Sequence, residues 1–333
     1  MSNLLRQTEK NNQRIGQLCR ALLVDLVGAE DIDLQAAFRA LAACKLVLSL
    51  RLCADAPSRK LTSALSNMPR IQSLSVQFFD QNLSAQEYAR CLAVVAPRLF
   101  TLKLIQGCCR SPVKMKKFPN LTSLFIGRAF DSLQVMTEVI KHSPLLRHLT
   151  VYRPNATTAQ YSEVLGMVVP VIGKQLQTLA LRCTVKDWAV TVDQRSMFFQ
   201  GAMFFRHPVP VLPADPDGLR STLSACTKLR SLHLDLLDPT PPILIGLPES
   251  LVHFDFACPA TKPESIHLAL TKEADWLPRP QHLKILLKRT AQVSPPFFAD
   301  FVPQAIISEC NAAANARPGL GTDEVFCKYD PSS

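Results

Sequence analysis

Three histidines, His148, His233 and His253, fall at third or fifth positions of a short repeated segment, and chemistry would first be sought there. An imidazole beside a carboxylate does acid–base work, and imidazoles grouped with Cys or Asp hold metals. The spacing offers neither: the seven histidines are scattered, and no carboxylate stands in a repeating relation to them. No HExxH, GxSxG, Walker A or kinase signature occurs. Gly319-Leu-Gly321 is a lone GxG after a proline with no strand before it. Glycine is scarce at 11 residues, which disfavours phosphate-cradling loops, and proline is plentiful at 25. Cys108 and Cys109 form a vicinal pair that would suit redox sensing, with packing in a loop as the plainer reading. The expectation is a protein without catalytic residues, metal or cofactor, and so not an enzyme.

Eleven cysteines without a CxxC read as reduced thiols packed in helices and strands, not as a disulfide framework or a zinc site. The start of the chain is polar and has no secretory h-region, and no apolar run reaches the ~18 residues of a membrane span. A cytoplasmic or nuclear protein is expected. A net charge of +10 invites a nucleic-acid reading. Between residues 101 and 150 eight basic residues face two acids, and Lys114, Lys116 and Lys117 form a compact cluster. Nucleic acid is nevertheless disfavoured, because the aromatic interleaving of single-strand binders is missing. An acidic protein partner or a solvated rim accounts for the cluster equally well.

The elements that would position these side chains are repeated. Nine segments place apolar residues at their first, fourth and sixth positions, beginning at Val47, Ile71, Leu99, Leu121, Leu146, Leu176, Leu229, Leu251 and Leu283. Leu121-Thr-Ser-Leu-Phe-Ile126 and Leu229-Arg-Ser-Leu-His-Leu234 are clear copies. Alternation over so short a stretch predicts a half-buried strand. Between strands the period changes: Leu34, Ala37, Phe38, Leu41 and Tyr88, Cys91, Leu92, Val95 fit one face of a helix, as do Tyr161, Val164, Leu165 and Val168. Ser84 with Glu87 matches a capping box. Pro69, Pro97, Pro119 and Pro144 each stand two residues before a strand, where proline stops the helix and resets the chain. Units of this length that recur predict a solenoid, each unit burying its apolar edge on its neighbours.

This pattern resembles the leucine-rich repeat family in its long αβ form, and more closely the irregular repeats of fungal F-box proteins. The resemblance implies an α/β horseshoe-like arc with parallel strands on the concave face and helices on the convex one. It divides the chain into a first unit or cap over 1–45, repeats over 46–290 and a C-terminal cap and tail over 291–333. An insertion is expected at about 185–216, and fraying from Arg317 onward. The ninth-position Asn or Cys of regular repeats is replaced here, by Asp55, Phe79 or Gly107 for example, so each turn must be satisfied individually. No F-box is visible, and a ligase adaptor is expected as partner only if one lies outside this chain.

Third and fifth strand positions should point away from the helices. They include Arg51, Lys103, Phe125, His148, His233, His253 and Asp255, with Tyr152 at a seventh position. Aromatic and basic residues are enriched at binding hot spots. The expected function is non-enzymatic binding of a protein partner of unknown identity on this face, in the manner of substrate recognition for a ubiquitin ligase. The alternative is a scaffold or inhibitor of the ribonuclease-inhibitor type.

Overall fold

The computed structural model describes residues 19–80, 84–106, 114–127, 133–153, 156, 158–182, 216–235, 247–259, 282–288 and 325–330. The chain is a mixed α/β protein with an open parallel sheet. It divides into two compact units, residues 1–152 with 170–179, and residues 153–169 with 180–333.

In the first unit, β1 (Ala21–Asp25), β2 (Ser49–Ala54), β3 (Ser73–Phe78), β4 (Thr101–Gln106), β5 (Ser123–Gly127) and β6 (His148–Tyr152) pair in sequence order, all parallel. Between them lie α1 (Asp31–Ala43), α2 (Arg59–Ser66), α3 (Ala85–Ala93) and α4 (Leu133–Lys141). The predicted register is the observed one. Ser49, Ser73, Thr101, Ser123 and His148 stand side by side, as do Leu50, Leu74, Leu102, Leu124 and Leu149. First, fourth and sixth positions form the core, Val47, Ile71, Leu99, Leu121 and Leu146 among them. Each such side chain contributes roughly 1.5–3 kcal/mol relative to exposure. Of the predicted helical faces, Tyr88, Cys91 and Leu92 on α3 are buried, and on α1 Ala37 and Leu41 are buried while Leu34 and Phe38 are half-buried. Leu61, Ala64 and Leu65 on α2 and Val139 and Ile140 on α4 are buried as well.

The prolines do more than stop helices. In Met68-Pro-Arg-Ile71, Phe118-Pro-Asn-Leu121 and Ser143-Pro-Leu-Leu146 the last residue donates its N–H to the carbonyl of the first. Proline therefore occupies the second position of a four-residue turn, where its fixed φ is already the one required. The next two N–H groups then share one carbonyl just ahead of the preceding strand. Thus Gln72 and Ser73 donate to Leu48, Phe100 and Thr101 to Gln72, and Thr122 and Ser123 to Phe100. Turn and ladder repeat together.

Helix starts follow side-chain oxygens. Ser84 Oγ accepts from the Glu87 N–H at 3.4 Å, as the sequence predicts. Ser58 caps α2 more tightly, accepting from the Leu61 N–H at 3.1 Å. Ser58→Ala is expected to cost about 1 kcal/mol, read as a lower midpoint in urea, with a smaller loss for Ser84→Ala. The ninth-position Asp55 is satisfied by the preceding unit. Asp55 Oδ2 accepts from the N–H of Gly28, which adopts a φ of 65° that glycine allows at no steric cost.

α5 (Thr158–Ile172) and β7 (Thr178–Arg182) carry residues of both units. Tyr161, Val164, Leu165 and Val168 of α5 are all buried. In the second unit, α6 (Pro216–Ser224) precedes β8 (Ser231–Asp235), and β9 (His253–Pro259), β10 (His282–Lys288) and β11 (Val325–Asp330) follow in sequence order, again parallel.

Four sequence expectations change. A strand, β1, lies ahead of the first predicted copy, within the stretch read as a first unit or cap. Cys19, Leu22 and Val24 are its first, fourth and sixth positions, since Leu22 pairs with Leu50. The copy assigned to Leu283 is out of register by three residues: Leu283 stands beside Phe254, a fourth position, and Ile285 beside Phe256. Val325–Asp330, expected to be frayed, forms β11 against β10. Finally, Pro216, the end of the predicted loop, is the first residue of α6. Cys108, Cys109, the rest of the 185–216 insertion, Gly319 and Gly321 lie outside the described residues.

Candidate functional site: the polar face of the parallel sheet

Parallel sheets in ordinary α/β proteins are covered on both faces, and their strands read as continuous apolar runs. The strands of the first unit alternate instead, because helices cover only the fourth- and sixth-position side. The other side carries Arg51, Ser75, Lys103 and Phe125 directly beside one another at fifth positions of β2 to β5. Strands pair about 4.8 Å apart, so the row from Arg51 to Phe125 spans roughly 14 Å. Ser49, Ser73, Thr101 and Ser123 form the parallel row of hydroxyls at third positions. No carboxylate occupies a third or fifth position of β2 to β6.

The members of this face differ in character. Lys103 is exposed. Arg51 is half-buried, and its Nε and Nη2 are shielded from solvent without a hydrogen-bond acceptor. Buried donors without acceptors are costly, so this guanidinium would gain from an acceptor brought by a partner. The Arg51 side chain also hydrogen-bonds the Cys53 thiol, and Asp25, in register with Cys53, accepts from the Val27 N–H through Oδ1. Phe125 is half-buried and leans toward the strand end: a Cβ added at Gly127 would meet Phe125 Cε1 at 3.0 Å and the Ile105 carbonyl oxygen at 3.1 Å. Glycine at 127 is what lets the ring lie there. His148, exposed, shares a 3.0 Å hydrogen bond between its Nδ1 and Thr178 Oγ1.

Tyr152 requires correction as a surface residue. It is only 3% exposed, and the seventh positions Cys53, Gln77, Ile105 and Gly127 are buried too, whereas Asp25 of β1 is exposed and Arg182 of β7 half-buried. On β2 to β6 the accessible strip therefore ends at the fifth positions. Lys114, Lys116 and Lys117 are exposed but do not join Arg51 and Lys103. Met115 and Phe118 anchor their segment, and the Phe118 N–H donates to the His142 carbonyl at the end of α4, on the helical side.

In the second unit, register brings His233 beside Asp255, with Nδ1 3.5 Å from Oδ2. The sequence reading saw no carboxylate related to the histidines. This one was legible, since both residues are fifth positions of consecutive copies. His253 is exposed and stands beside His282 of β10 in the backbone register. Among the described residues no group of three His, Cys, Asp or Glu side chains is placed to hold a metal ion.

The thiols are placed as packing groups. Burial pushes the Cys91 thiol up to about 12 and that of Cys226 up to about 11, so both stay protonated and unreactive at neutral pH. Cys53 is raised by burial first and by Asp25 second, with Arg51 opposing. Among the described residues no helix is long and apolar enough to cross a membrane.

The fold and site together define an α/β protein with an open parallel sheet, one face of which is polar and accessible. Compared with known protein families and with curated proteins, the chain matches none.

Proposed function

We propose that this chain is a leucine-rich-repeat-type solenoid whose polar sheet face binds a protein partner without catalysing a reaction. The observation that carries the reading is the in-register row Arg51, Ser75, Lys103 and Phe125 on an accessible parallel sheet. A sheet face left free of helices needs polar residues only for solubility. This one adds a half-buried aromatic ring and a guanidinium whose buried donors lack acceptors. Those are the residue types that dominate protein interfaces. Substrate recognition for a ubiquitin ligase is the cellular role such a module fits, in the cytoplasm or nucleus, if an adaptor-binding segment accompanies it.

Lys103→Ala with Phe125→Ala tests the reading. Partner recovery in affinity purification should fall, with a loss of roughly 1–4 kcal/mol once the partner is purified, mostly through faster dissociation. Raising salt should reproduce only the Lys103 share, because an exposed charge is screened and a ring contact is not. Unchanged recovery from a double variant that remains folded would move the site off this face.

A further inference from the structure

A cleft lies at the N-terminal ends of the strands, in the turns that enter β3 and β4. The unit between Ile71 and Leu99 is longer than its neighbours and carries a short 3₁₀ turn, Ala96–Arg98, before β4. Beside that turn the cleft is shallow and solvent-open, about 510 Å³ in volume. Pro69 and Pro97 stand in its lining, and Phe100 among them is 45% exposed, a large ring on a surface where the strand neighbours Gln72 and Thr122 are polar. Arg70 and Arg98 line the same cleft, and no carboxylate does.

The two cations are not equivalent. Arg70 is exposed. Arg98 is held in place, its Nη2 donating to the carbonyls of Val94 at 2.7 Å and Leu65 at 3.4 Å, while its Nε is buried without an acceptor. Burial also lowers the Arg98 pKa, the direction expected of a cation lacking a counter-charge. Two amides stand in the lining as well, beside Leu48 and Ile71. Asn120 gives its Nδ2 to the Pro97 carbonyl at 2.8 Å, which fixes the side chain and leaves its oxygen as an acceptor, and Gln72 is exposed.

We propose that this cleft takes the free C-terminus of a protein partner ending in an apolar residue. The terminal carboxylate would pair with Arg70 and Arg98, the apolar side chain would lie on Phe100 between the prolines, and the last peptide unit would meet the amides of Asn120 and Gln72. Arginine is the side chain best shaped for a carboxylate. The volume exceeds what a lone carboxylate fills, and the paired amides match a peptide group. This site is separate from the polar sheet face and does not depend on it.

The full chain is tested against a pool of degenerate hexapeptides with an apolar last residue, as free acids and as C-terminal amides. The free-acid pool should be retained about tenfold more strongly than the amidated one, as for loss of a hydrogen-bonded charge. Arg70→Ala should remove that preference, and Phe100→Ala should lower retention of both pools alike, each with unchanged melting, since both side chains are exposed. Arg70→Glu should abolish retention of the acids. Equal retention of acids and amides, a preference that survives Arg70→Ala, or retention unaffected by Phe100→Ala overturns the proposal. So does full competition by hexanoate at concentrations comparable to peptide, which would make this a small-anion site.

Discussion

Leu124→Asp is expected to unfold the first unit at neutral pH. Leu124 is a fourth-position residue, 1% exposed, standing between Leu102 and Leu149. A carboxylate there has no partner, and either remains charged at a cost of several kcal/mol or stays protonated by shifting its pKa upward. The second course gives the prediction a pH signature. A folded-state pKa above the unfolded value of about 3.9 means that the deficit is smallest near and below pH 4. It grows as pH rises toward the folded value. Circular dichroism melts at pH 4 and pH 7 check both parts. A variant that melts like the parent at pH 7 would mean that the strand register is wrong.

Phe78→Ala should be the most damaging truncation on the helix side of the sheet. Phe78, the last residue of β3, is fully buried and meets Tyr88 of α3 edge to face, with ring centroids 5.8 Å apart at 70°. Removing the ring leaves a cavity at the strand–helix contact and deletes the aromatic pair, together roughly 3–5 kcal/mol. Urea titration should show a lower midpoint at unchanged slope, as for a loss of stability without a change in the surface exposed. A loss below about 1 kcal/mol would show that α3 does not depend on this contact.

These two sites differ in how far sequence revealed them. Leu124 was legible because a period of two admits a single face for Leu121, Leu124 and Ile126, and a register error of one residue would have exposed them all. Phe78 lies beyond the motif, where the strand continues past its sixth position, and nothing in the repeat marks it. The same limit explains Tyr152. Alternation places it on the polar side, but burial at seventh positions depends on what covers the strand ends, which is a tertiary matter.

Elsewhere the signal was present but ambiguous. His282-Leu-Lys-Ile-Leu-Leu-Lys288 can start its motif at Leu283 or place Leu283 fourth, because consecutive apolar residues satisfy both faces. Pairing with β9 decides for the second. The sixth-position lysine required by the first alternative was the clue. β1 was hidden by Cys19 at the first position and by its place at the sheet edge, where Leu23 is 58% exposed. Ser58 was missed as a cap because Leu61, not an acid, follows three residues later. The binding face was legible as positions and not as properties: its order along the sheet follows from the repeat, whereas the orphaned donors of Arg51 and the tilt of Phe125 over Gly127 do not.

The central claim is that a protein partner rests on the polar face of the first unit. A photoactivatable cross-linking residue placed at Ser75, between Arg51 and Lys103, probes that face with little disturbance, and the same residue at the exposed Ser63 on α2 probes the helical side. Illumination of both proteins in extract, followed by mass spectrometry, should give a discrete protein adduct from position 75 and none from position 63. An adduct from position 63 alone, or the same background from both, would contradict the account.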